Sequence, residues 1–66
     1  MQPDVVYKVE EVICDFVTEI VCETSNKTKA KEACKKIHGD YNVTIFIDGK
    51  FYDAFEDMTE EEFEQF

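Results

Sequence analysis

Arginine and tryptophan are absent from this chain, proline occurs once, glycine twice and cysteine three times. Each scarcity narrows what the protein can be. Seven lysines are the whole cationic complement against sixteen Asp and Glu, for a net charge of −9. Binding to duplex phosphates depends on cations that displace condensed counterions, so this balance argues against direct nucleic-acid binding. An anionic membrane surface repels such a chain for the same reason. Cys14, Cys22 and Cys34 are odd in number and widely spaced, unlike a secreted disulfide framework. No apolar run approaches the roughly 18 residues of a membrane span. Met1-Gln2-Pro3-Asp4 also lacks the basic start of an export signal. A reducing cytoplasm is the expected setting.

What is present argues for a folded protein. Apolar residues make up 44% of the chain, with six Phe and three Tyr, too many for a disordered segment. Residues 1–66 are expected to form one domain, because so short a chain has no room for two cores. A domain of this size buries only roughly 60% of the surface its unfolded chain exposes. Its stability then depends on a metal, a partner or an unusually well packed core.

From Asn26 to His38, Ala30, Ala33, Cys34 and Ile37 recur at three and four, which is the helix period. Thr24, Ser25 and Asn26 are candidate N-caps, and Gly39 stands where a left-handed C-cap belongs. Lys35, Lys36 and His38 fall in the last turn, where cations complement the helix dipole. Tyr41 to Phe55 reads as a hairpin, because Asp48-Gly49 suits a two-residue turn with positive φ at both positions. Val43, Ile45 and Ile47 alternate with Thr44 and Phe46 before that turn. Thr59 and Glu62 form a capping-box pattern that opens a short helix over 59–66.

Residues 4–23 admit two readings. Val5, Val9, Val12, Ile13, Phe16, Val17, Ile20 and Val21 fit a helical stripe, yet the crowding of Val, Ile and Thr favours strands. A two-stranded hairpin alone is a poor sheet. Two strands near 5–13 and 16–23 therefore give the favoured architecture: an α+β fold of order ββαββα, a small antiparallel sheet with one main helix on one face and a short C-terminal helix. The alternative is a long N-terminal helix, then a helix, a β-hairpin and a short helix.

Charge is segregated along these elements. Residues 1–23 carry −5, residues 24–39 carry +4 and residues 40–66 carry −8. A basic helix thus sits among acidic neighbours, and part of the acid must remain uncompensated. Asp53, Glu56, Asp57, Glu60, Glu61, Glu62 and Glu64 crowd into twelve residues, interleaved with Phe55, Met58, Phe63 and Phe66. A row of carboxylates has the charge character of a phosphate backbone and could occupy a basic groove, with Phe63 as an apolar anchor. Glu10, Glu11, Asp15 and Glu19 extend that face if the N-terminal segment lies beside it.

The expected activity is protein binding, not catalysis. The chain has no D-x-D-x-D-G loop and no nucleophile paired with a base, so no cofactor is expected and no catalytic residue stands out. Cys34 and His38, four apart on the expected helix, could form half of a zinc site with Cys14 and Cys22 as an alternative reading. Core burial of the three cysteines is the ordinary alternative. Lys27, Lys31 and Lys35 line one helix face and suit the protein's own acids or those of a second copy, so a self-associating structural protein is a further reading. The hairpin's outer strand is a sheet edge open to pairing. In size and charge balance the chain resembles the small inhibitors that bacteriophages make against host enzymes and defence systems. That resemblance implies a partner with a basic surface, such as a nucleic-acid-processing or defence protein.

Overall fold

The computed structural model describes residues 4–66. Its elements run β1 (Val5–Cys14), β2 (Val17–Thr24), α1 (Lys27–Lys36), β3 (Tyr41–Ile47), β4 (Lys50–Glu56) and α2 (Glu60–Glu64). The strands form one antiparallel sheet in the order β2-β1-β3-β4, giving an α+β fold with one main and one short helix. Val5–Cys14 and Val17–Thr24 are strands, so the long-helix reading is overturned. The β-branched residues there find strand partners on both sides of β1, and pairing outweighs the helical spacing.

Alternation along the central strands places the core. Tyr7 and Val9 of β1 face Val43 and Ile45 of β3 on one side of the sheet, and Val9, Val43 and Ile45 are completely buried. Ala30, Ala33 and Cys34 of α1 close over them, joined by Met58 and by Phe63 of α2. The Tyr7 and Phe63 rings lie 5.6 Å apart in a tilted arrangement. Phe66 meets Phe55 and Tyr52, at 5.7 Å from each ring, which anchors the end of the chain across β4. Both helices contribute to this one cluster. Val6, Lys8 and Glu10 of β1 and Asn42, Thr44 and Phe46 of β3 alternate to the opposite side, which no helix covers.

Local chemistry accounts for most element ends. The Asn26 side chain accepts a hydrogen bond from the Lys29 N–H and caps α1. Asp48 and Gly49 both have positive φ, at 53° and 79°, as the β3–β4 turn requires. Thr59 and Glu62 exchange both bonds of a capping box. Gly39, however, is not a left-handed cap. The helix stops at Lys36, and Ile37 turns extended so that its side chain returns to the core. His38 therefore lies beyond the helix end.

The β1–β2 hairpin differs from the other. β1 pairs with β3 only as far as Glu11, and the Val12 N–H makes one further bond to the Asp40 carbonyl. Past that point β1 and β2 run on together as an arm ending at Asp15 and Phe16. The fold is 39 Å long but only 20 by 16 Å across. Among the described residues no helix is long and apolar enough to cross a membrane.

Candidate functional site

The acidic stretch from Asp53 to Glu64 spans β4 and α2, and several of its acids have partners within the fold. Glu60 pairs with Lys35 at 3.5 Å, and Glu64 pairs with Lys31. The hydrogen bond from Lys31 holds the Glu64 carboxyl below its ordinary range, and the same bond raises the Lys31 ammonium. Glu62 is occupied by the capping box. Asp57 has φ 50°, and its carboxylate accepts the Tyr41 N–H while its own N–H donates to the Tyr41 carbonyl. The Asp53 carboxylate accepts the adjacent Ala54 N–H at 2.8 Å. Phe63, expected as a surface anchor, is 2% exposed and belongs to the core. The capping box sets the helix direction, and Tyr7 supplies a ring for Phe63 to pack on. Glu56 and Glu61 remain exposed.

A second group of acids gathers where the arm leaves the sheet. Asp15, Asp40, Glu56 and Asp57 surround an open depression of about 310 Å³, with Val12, Thr18, Tyr41 and Asn42 completing its lining. A neighbouring depression of about 270 Å³ shares Asn42 and Glu56 and adds Glu10, Thr44, Ala54 and Phe55. The two form one anionic strip across the end of the uncovered sheet face. Glu10 is steadied there by a 2.7 Å bond from the Thr18 hydroxyl and a 4.0 Å contact with Lys8. Glu10 and Asp15 are acids expected to extend the acidic face, and they meet Glu56 and Asp57 here. Glu11 and Glu19 do not join them, because their register pair lies on the helix-bearing side of the sheet. Sequence reasoning missed Asp40. Its place follows from the bond between its carbonyl and Val12, which exists only because β1 lies between β2 and β3.

The cysteine–histidine set does not assemble. Cys14 is exposed on the arm, Cys22 is half-buried and Cys34 is buried. His38 has left the helix that was expected to align it with Cys34. Among the described residues no three His, Cys, Asp or Glu side chains are placed to hold a metal ion. Burial pushes the Cys34 thiol up to about 11, with a smaller contribution from Cys22, so it is a poor nucleophile at neutral pH. Burial likewise raises the Tyr41 phenol, whose hydroxyl donates to the Met58 carbonyl at 3.2 Å. A small depression of about 100 Å³ beside Cys34, Tyr41 and Met58 is bridged by Lys31, Lys35 and Glu60.

Fold and site together describe a small α+β protein with a helix-covered core and an anionic open sheet face. No protein-family model, no curated protein and no solved structure matches the chain.

Proposed function

We propose that the protein is a small acidic protein-binding module that acts as a stoichiometric inhibitor by occupying the basic surface of another protein. Binding, not catalysis, is the activity. The observation that carries this reading is the uncompensated charge. Of sixteen acids, Glu10, Glu60 and Glu64 form ion pairs among the described residues, while Asp15, Asp40 and Glu56 gather on the open strip. Such a strip attracts a lysine- and arginine-lined groove at long range and speeds encounter with it. Because grooves of that kind commonly hold nucleic acid, the reading extends to mimicry: the protein competes with a polynucleotide for its partner. A reducing, cytoplasmic setting belongs to the same proposal and suits three free cysteines, one of them exposed.

The proposed contact residues are Asp15, Asp40, Glu56 and Asp57, with Glu10 beside them in the neighbouring depression. Glu60, Glu61, Glu62 and Glu64 of α2 lie outside the two depressions and Phe63 is in the core, while Glu60 and Glu64 stay largely exposed beside their lysine partners. The test pairs the wild-type chain with a triple variant, Asp15→Asn, Asp40→Asn and Glu56→Gln, as baits in a host lysate. A captured protein is then purified and its affinity measured against salt. Wild-type binding that weakens as salt rises, falls at least about tenfold in the variant and is displaced by duplex DNA supports the reading. Equal affinity of both baits for the purified protein removes the strip as the binding surface.

A further inference from the structure

We infer that the free edge of β2 is a homodimer interface, at which two β2 strands pair antiparallel and join two sheets into one eight-stranded sheet. The hairpin that carries this edge is unusually apolar: Val17, Ile20 and Val21 of β2, Phe16 of the turn and Ile13 of β1 are five of the seven large apolar side chains left exposed among the described residues, and Phe16 is 100% exposed. A buried aromatic ring removes about 150–250 Å² from water, so Phe16 alone is a substantial part of a contact. So many large apolar side chains left in water on one hairpin favour a partner that covers them. Of the ordinary protections of a sheet edge, Val17-Thr18-Glu19-Ile20-Val21-Cys22-Glu23-Thr24 carries only Glu19, Glu23 and one bulge, with no Lys and no Pro. The bulge at Val21 adds twist without adding charge.

Register and charge both select a second copy. Full overlap of two such eight-residue strands sets 17 opposite 24, 18 opposite 23, 19 opposite 22 and 20 opposite 21. No acid then faces an acid, and Ile20 meets Val21 on each side of the two-fold axis. Cross-strand pairs of β-branched residues stabilise such a ladder, and directly opposed like charges would weaken it. The arrangement is isologous and closes as a dimer.

The helix supplies the complementary charge. α1 packs over β1 and β2, and Lys31 and Lys35 reach from one flank to α2. By the 3.6-residue period Lys29 and Lys36 lie on the other flank, above the β2 edge, and neither forms an ion pair among the described residues. Glu19 is on the helix-bearing side of the sheet, as its pairing with Glu11 two residues beyond buried Val9 requires. Across the axis it comes opposite Cys22 of the second copy. Cys22 lies near Cys34, beneath that copy's α1. Glu19 thus approaches Lys29 and Lys36 of the second copy. Each chain carries −9, but at 0.15 M salt the screening length is about 8 Å, so whole-chain repulsion fades while contacts across the edge persist.

Sedimentation equilibrium at about 0.15 M salt tests this over a concentration series. The wild type is expected to approach twice 7.7 kDa. Ile20→Lys and, separately, Val17→Lys should hold it at the monomer mass with an unchanged far-ultraviolet circular dichroism spectrum. Glu19→Lys should weaken association about tenfold, and adding Lys29→Glu and Lys36→Glu to it should recover most of the loss. A wild type that stays monomeric to its solubility limit overturns the inference. So does a dimer that both edge variants leave intact. Failure of the charge swap to recover affinity overturns the placement of α1 across the axis.

Discussion

The two hairpins have the same number of strands and opposite origins. In β3–β4 the turn is written into two residues, since Asp48 and Gly49 both adopt the positive φ that matches strand twist. β3 lies between β1 and β4 and sends Val43 and Ile45 into the core. In β1–β2 neither Asp15 nor Phe16 has positive φ. A turn of ordinary hand splays the strands, and register shifts near Ile13 and Val21 accommodate it. Half of that hairpin is held by β3 and the helices, and the rest projects as an arm. One hairpin is specified by its own turn. The other is specified by what it leans on.

The largest test of that contrast compares two isoleucines. Ile45→Ala empties a fully buried site and should cost about 2–5 kcal/mol in chemical denaturation, a large share of the stability of so small a domain. Ile13→Ala, on the arm at 53% exposure, should change the stability of dilute monomer by less than about 0.5 kcal/mol. Comparable losses at both positions would mean that the arm is part of the core after all.

Next in size is the turn. Nothing lies within 4 Å of a Cβ added at Gly49, so Gly49→Ala tests backbone conformation without a clash. At φ 79° it should destabilise by about 1 kcal/mol. Phe16→Ala at the other turn should leave monomer stability nearly unchanged. An effect at Phe16 equal to that at Gly49 would erase the distinction between the hairpins.

The cysteines give smaller effects. Cys14 on the arm should react quickly with a thiol reagent at pH 8, whereas Cys34 should react only as fast as the core opens. Equal rates would show that the core is open. The pH dependence has a definite sign. Burial raises the Cys34 thiol from 9.0 to about 11 in the folded protein, so the unfolded chain loses that proton first. The stabilisation is complete below about pH 9 and lost as pH rises towards 11. Melting temperature should therefore fall across this window, and less steeply in Cys34→Ala. An identical slope in that variant would assign the fall to other groups.

Local signals account for what was legible in the chain. The Asn26 cap, the Thr59–Glu62 capping box and the Asp48-Gly49 turn each depend on residues within four positions of one another, so spacing alone reveals them. Ala30, Ala33 and Cys34 were readable as a buried stripe for the same reason. The site was legible in part. Glu56, Asp57, Asp15 and Glu10 meet, but as a strip at the mouth of the arm, while on α2 Phe63 enters the core, Glu62 caps the helix, and Glu60 and Glu64 pair with lysines at the surface.

By itself, then, the sequence determined the central helix and its Asn26 cap, the β3–β4 turn, the Thr59–Glu62 capping box and a surplus of negative charge, because these follow from neighbouring residues and from composition. Pairing on both sides of β1 was needed to make residues 5–14 and 17–24 strands. Tertiary structure alone decided which acids are engaged. It also ended α1 at Lys36, since burying Ile37 outweighed continuing the helix to Gly39. It set the strand order that brings Asp40 beside Val12 and leaves β2 as an apolar edge. Strand order is a contest among distant pairings, each weighed by the apolar surface it buries. No short stretch of chain carries that comparison.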